Sequence, residues 1–253
     1  MTVSDLAKMI DHSLLHPTMT EKDLTDGCRL AASYQVASVC IKPYAVPLAL
    51  RLLAGSGVAV GTVIGFPHGS ATTGIKVAET LEACALGATE IDMVVNIGQV
   101  LGGEWKAVQR EIEAVQLVSL ARGALVKVIF ENDFLGLEAI TRLTEICSNV
   151  GVAFVKTSTG YGFVKQPDGQ YNYKGATIEH LKLMRKVAPQ SVQVKAAGGV
   201  RTLKDLVTVR SLGVTRVGAT ATAVMLDEAK KLLAEGVELN TLVSAEPRLG
   251  SGY

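Results

Sequence analysis

Short apolar runs and amphipathic stretches alternate along almost the whole chain, and that alternation leaves few folds open to it. Apolar runs at 36–41, 58–64, 91–95, 125–130, 152–155, 192–194 and 214–217, with Ile10-Asp11-His12 before them, read as short strands. Helical spacing falls at 4–9, after the capping sequence Thr20-Glu21-Lys22-Asp23, at 46–54, 73–86, 105–120, 137–150 and 178–187, after Thr202, and at 225–233. Wholly apolar strands separated by helices are the pattern of parallel strands buried on both faces. A closed (β/α)8 TIM barrel is therefore expected, ahead of a doubly wound open sheet. No Gly-x-Gly-x-x-Gly follows the first strand, which counts against a dinucleotide fold. No linker or low-complexity segment divides the 253 residues, so one α/β domain is expected over 1–253, with a short N-terminal helix and a tail ending in Tyr253.

The charge balance narrows the class of partner. There are 25 basic and 24 acidic side chains, net +1, with no concentrated basic face for nucleic acid and no apolar run long enough to span a membrane. The first residues lack the basic and apolar regions of a signal peptide, so a cytoplasmic location is expected. Cys28, Cys40, Cys84 and Cys147 form no Cys-x-x-Cys pair, and His12, His16, His68 and His180 have no ligand spacing. Neither a metal nor a cofactor is expected.

In a barrel the active site lies at the carboxyl ends of the strands, where the polar residues are Asp11, Asp92, Asn96, Lys127, Glu131, Lys156 and Lys195. Two of these are unusual. Phe154-Val155-Lys156-Thr157-Ser158-Thr159-Gly160 and Val194-Lys195-Ala196-Ala197-Gly198-Gly199 each place a lysine at the end of an apolar strand, just before small residues and glycine. Burying an unpaired ammonium is expensive, so chemistry is the simplest reason to place two there. A free lysine is almost entirely protonated at neutral pH, whereas desolvation and a neighbouring ammonium favour the nucleophilic amine. Lys156 is thus read as a Schiff-base nucleophile, Lys195 as the neighbour that perturbs it, and Asp92 as a proton shuttle. Gly198-Gly199-Val200-Arg201-Thr202 and Val217-Gly218-Ala219-Thr220 follow the last two strands and read as a phosphate cradle, with Arg201 available to neutralise the anion. A phosphosugar isomerase using carboxylate or histidine bases, and a barrel that only binds a phosphometabolite, remain competing readings.

Ile10-Asp11-His12-Ser13-Leu14-Leu15, Gly65-Phe66-Pro67-His68-Gly69, Glu90-Ile91-Asp92-Met93-Val94 and the two lysine motifs resemble those of the deoxyribose-phosphate aldolases, from the first strand to the last. The resemblance implies a class I aldolase that reversibly cleaves 2-deoxyribose 5-phosphate to acetaldehyde and glyceraldehyde 3-phosphate. It implies Lys156 as the Schiff-base lysine, Lys195 and Asp92 as proton donors and acceptors, and Tyr253 as a further proton relay. Asp11, Ser13, Thr159, Gly160, Gly198, Gly199, Arg201, Gly218 and Thr220 are the implied substrate contacts. Cys40 falls where some members carry a cysteine near the aldehyde, and it reads more simply as a small buried hydrophobe. Tyr161 stands where some members have a phosphate-holding lysine, and Thr220-Ala221 where a serine pair is common. The expected partners are phosphosugar and aldehyde substrates and a second copy of the chain, as a homo-oligomeric dimer or tetramer.

Overall fold

Five threonines, Thr2, Thr20, Thr72, Thr177 and Thr202, each stand one residue before a helix and accept a hydrogen bond from an amide of its first turn. Those caps set where each helix begins. The computed structural model describes residues 1–244 and Leu249. The elements run α1 (Val3–Ala7), β1 (Ile10–Leu14), α2 (Glu21–Tyr34), β2 (Ser38–Ile41), α3 (Val46–Leu53), β3 (Ala59–Ile64), α4 (Thr73–Ala85), β4 (Glu90–Val94), α5 (Ile97–Leu101) and α6 (Trp105–Ala121). They continue with β5 (Leu125–Ile129), α7 (Leu137–Val150), β6 (Phe154–Lys156), β7 (Val164–Lys165), β8 (Tyr171–Asn172), α8 (Ile178–Val187), β9 (Gln193–Ala197), α9 (Leu203–Ser211), β10 (Arg216–Ala219) and α10 (Thr222–Ala234).

Eight of the strands close on themselves in the order β1-β10-β9-β6-β5-β4-β3-β2, every pair parallel, with β1 bonded to both β2 and β10. This is the expected (β/α)8 barrel. Alternate residues of a strand point to opposite faces. The outward set, including Ile10, Val39, Ile91, Met93, Val126, Val128, Val155, Val194 and Val217, packs under the helices in one continuous apolar core.

The inward set differs from the wholly apolar strands expected. Asp11, Ser38, Glu90, Asp92, Lys127, Lys156, Lys195 and Arg216 all project into the barrel, and the register pairs Asp92 with Lys127 and Lys156 with Lys195 across neighbouring strands. The apolar runs were legible because the outer face dominates each strand. The charges survive inside because they compensate one another.

Three further differences have local causes. The segment 161–175, to which neither the apolar runs nor the helical spacing assign an element, contains the antiparallel hairpin β7–β8 around Gln166 and Gly169. Helix α5 is only five residues, too short to show a period; Asn96 caps it by accepting from the Gln99 amide. Strand β9 runs on through Lys195 to Ala197, because its barrel neighbours continue to offer ladder bonds past the apolar run.

Candidate active site

Strands β4, β6 and β9 deliver Asp92, Lys156 and Lys195 to one point. The ammonium groups of Lys156 and Lys195 both donate to Asp92 Oδ2, each at 2.8 Å. Beneath them lies a chain of ion pairs. Lys195 Nζ also reaches Asp11 Oδ2 at 2.5 Å, and Lys127 Nζ lies 2.8 Å from Asp11 Oδ2, 2.6 Å from Glu90 Oε2 and 3.1 Å from Asp92 Oδ1. Arg216 Nη1 contacts Asp11 Oδ1 at 2.5 Å and Glu90 Oε1 at 3.1 Å, and Ser38 Oγ donates to Asp11 Oδ1. Except for the Arg216 side chain, 14% exposed, these charged groups are almost wholly buried.

The cluster holds three carboxyl groups, Asp11, Glu90 and Asp92, and four basic side chains, Lys127, Lys195, Arg216 and Lys156. Burial alone would push each carboxyl pKa up, but Lys127, Lys195 and Arg216 around Asp11, and Lys127, Lys156 and Lys195 around Asp92, hold both well below the usual carboxylate range. Burial alone would lower Lys127 and Lys195, but Asp11 and Asp92 hold both above the ordinary lysine value. Lys156 is the surplus cation. Burial lowers its pKa, Asp92 pulls it back up, the Lys195 charge lowers it again, and the result lies below the ordinary value. The site thus keeps three fixed positive charges and one amine that gives up its proton more readily.

Above the cluster a cleft opens at the carboxyl end of the barrel, with Lys156 and Lys195 in its floor. Every substrate contact expected from the sequence lines it: Asp11, Ser13, Thr159, Gly160, Gly198, Gly199, Arg201, Gly218 and Thr220. Asp92 does not; it is fully buried and reaches the cleft only through the two lysines. Tyr253 lies outside the described residues.

Gly198 and Gly199 adopt φ of 80° and 94°, left-handed values that suit glycine and turn the backbone over the cleft. The start of α9 is less open than the sequence implied, because the Arg201 and Thr202 amides both point to Asp205 Oδ2, its own capping residue. The start of α10 differs: Ala221 precedes it and no side-chain bond caps it, so the positive end of that helix faces the cleft beside Thr220. Tyr161 packs its ring edge-on to Phe66, with centroids 5.6 Å apart, and so forms apolar wall in place of a phosphate-holding lysine. Cys40 is a buried wall residue whose thiol is pushed up to about 11, mainly by burial, and is therefore neutral.

Four polar participants were not singled out in the sequence, and Ser38, inside an apolar run, is one of them. Glu90 and Arg216 stand two residues before Asp92 and Gly218 on their strands and so share their inward face, a spacing from which both could be found. Tyr173 enters the cleft wall only because the hairpin folds back, with the Lys174 and Gly175 amides donating to Asp133 and the Ala176 amide to Gly198 O. No local pattern announces that. Lys127 and Glu131, both collected among the strand-end polar residues, do not pair. Strand β5 ends at Ile129, and Glu131 turns with φ 58° to meet Thr159.

The DeoC/LacD family aldolase model matches residues 6–226. The deoxyribose-phosphate aldolase of Rhodopirellula baltica is 53% identical over 229 residues, 90% of this chain and 91% of that protein. The deoxyribose-phosphate aldolase of Caldanaerobacter subterraneus subsp. tengcongensis is 43% identical over 231 residues, 91% of this chain and 96% of that protein. Among solved structures, the tetrameric deoxyribose phosphate aldolase from Aeropyrum pernix superposes with TM-score 0.80 at 30% identity, covering 91% of this chain and 93% of that one.

Proposed function

Since the chain belongs to the DeoC/LacD aldolase family, we propose that it is a class I deoxyribose-phosphate aldolase, reversibly cleaving 2-deoxy-D-ribose 5-phosphate to acetaldehyde and D-glyceraldehyde 3-phosphate. The observation that carries this reading is the pair of lysine ammonium groups sharing Asp92 Oδ2 in the floor of the cleft. Burial and the Lys195 charge of that pair lower the Lys156 pKa, so the amine more readily becomes the free nucleophile that attacks a carbonyl.

The neutral Lys156 amine adds to the C1 carbonyl of the open-chain sugar, and loss of water leaves a protonated imine. A base removes the C3 hydroxyl proton; the C2–C3 bond breaks, its electron pair moving to C2, and C3 becomes the aldehyde of glyceraldehyde 3-phosphate. The remaining enamine takes a proton at C2, and water hydrolyses the imine to release acetaldehyde and the amine. Asp92 and Lys195 shuttle these protons, with Tyr253 as a further relay. Asp11 and Ser13 hold sugar hydroxyls. The amides of the Gly198-Gly199 turn, the start of α10, Thr220 and Arg201 hold the phosphate, which carries the binding energy that aligns the C2–C3 bond.

An isomerase on the same barrel would need a base facing substrate carbon. The cleft floor instead presents two amines, with Asp92 beneath them. Glyceraldehyde 3-phosphate release from 2-deoxyribose 5-phosphate, followed through a coupled dehydrogenase, tests the assignment; turnover that persists in Lys156→Arg would overturn it. Among the described residues no helix is long and apolar enough to cross a membrane. A cytoplasmic homo-oligomer, dimer or tetramer, completes the proposal, and light scattering on the purified chain decides its assembly.

A further inference from the structure

Asp11, Glu90, Asp92 and Glu111 are buried carboxyl groups, and each is ion-paired to a lysine. Glu131, only 1% exposed, forms no ion pair among the described residues. Its partner is Thr159, in the cleft wall three residues after Lys156. The Thr159 amide lies 3.2 Å from Oε1 and 3.3 Å from Oε2, and the Thr159 hydroxyl makes a close contact with Oε2. The same hydroxyl oxygen accepts from the Tyr161 amide at 2.9 Å. Glu131 keeps this geometry in a left-handed conformation, φ 58°, that a non-glycine residue adopts only when its surroundings compensate.

A hydroxyl has one hydrogen and two lone pairs. Here one lone pair takes the Tyr161 amide. An ionised Glu131 only accepts, so it binds the hydroxyl hydrogen and turns it away from the cleft. A protonated Glu131 instead donates from Oε2 to the second lone pair, and the hydroxyl hydrogen is released toward the cleft. We propose that Glu131 and Thr159 form a proton-linked hydrogen-bond switch, in which the protonated acid makes the Thr159 hydroxyl a donor to the phosphosugar.

The surroundings favour a switch that works near neutrality. Burial pushes the Glu131 carboxyl up to about 7, against the opposing pull of the two Thr159 hydrogen bonds. Of the charged groups that face it, Asp133 on the following turn raises it further and Lys156 on β6 lowers it. Gly162, in the loop that also carries the phenols of Tyr161 and Tyr173, packs against the carboxyl without adding charge. Glu131 thus acts through Thr159 as a positioning residue. The inference rests on the aldolase reading only for the identity of the ligand, and trapping at Lys156 tests that reading separately.

Steady-state cleavage of 2-deoxyribose 5-phosphate between pH 6 and 9 tests the switch. In the wild type KM should climb above pH 7, approaching about tenfold per pH unit, while kcat changes little. Glu131→Gln donates from its amide at every pH and should keep the low-pH KM throughout. Thr159→Val should raise KM and remove this ionisation from the profile. A Glu131→Gln enzyme that retains the wild-type climb in KM overturns the proposal, as does one that loses kcat with the KM profile unmoved.

A second measurement follows the proton itself. 2-Deoxyribitol 5-phosphate cannot bond to the Lys156 amine, and its phosphate is already dianionic at pH 8. Calorimetry at pH 8 in two buffers of different ionisation enthalpy should show net proton uptake on binding, and Glu131→Gln should remove it. Zero uptake contradicts the switch.

Discussion

Lys156 and Lys195 are the same amino acid on neighbouring strands, yet they titrate in opposite directions, and the difference lies in what each touches. Lys195 bonds two carboxylates, Asp11 and Asp92; Lys156 bonds only the oxygen of Asp92 that Lys195 already holds. The Lys195 charge is one of the two causes that lower the Lys156 pKa, so removing it lets that pKa rise. Lys195→Met should therefore move the acid limb of the kcat/KM profile to higher pH and cost roughly 100-fold at pH 7, as an unmoved limb in a pH–rate profile would disprove. Both lysines were legible in the sequence, because an ammonium at the end of an apolar strand is anomalous on its own terms. Glu131 was collected with them, but its partnership with Thr159 was not, since it depends on a left-handed turn just beyond the strand.

The hairpin β7–β8, like the short helix α5, was missed by sequence reasoning, and its base explains how it belongs to the site. Gly175 has φ 75°, and a β-carbon there would stand 2.6 Å from the Gly198 carbonyl oxygen. The two glycines let the end of the hairpin lie directly on the Gly198-Gly199 turn. Gly175→Ala should cost about 2–3 kcal/mol in urea unfolding and raise KM more than it lowers kcat, since the turn it displaces is proposed to hold phosphate and not to react. An unchanged KM would separate hairpin from cleft. The helices were legible for the opposite reason: Thr20-Glu21-Lys22-Asp23 and Thr202 sit at helix starts, and both form the capping boxes that their side chains allow. A hairpin of two two-residue strands with polar ends offers no comparable period.

At the scale of the whole molecule, the barrel carries its apolar core outside the sheet and a compensated charge cluster within it. The outer core is what the apolar runs recorded, so the eightfold alternation sufficed for the fold; the inner cluster is assembled from seven strand positions that no local window contains. Removing one member should cost more than the pair is worth. Arg216→Met leaves Asp11 and Glu90 partly uncompensated and should destabilise by about 3–5 kcal/mol in chemical unfolding, with part recovered in Arg216→Met/Glu90→Gln. Asp11 and Asp92 titrate below their unfolded values, so their contribution is complete above the unfolded carboxylate pKa and is lost as pH falls through the folded one. Acid unfolding should therefore be concentrated below about pH 4.

The central claim is that one amine of the cluster is free to bond to an aldehyde. Borohydride reduction in the presence of acetaldehyde, followed by peptide mass mapping, measures this directly. The account predicts a single ethyl adduct on Lys156 and none on Lys195 or Lys127. An intact Lys156 peptide, or an adduct on another lysine, would contradict it.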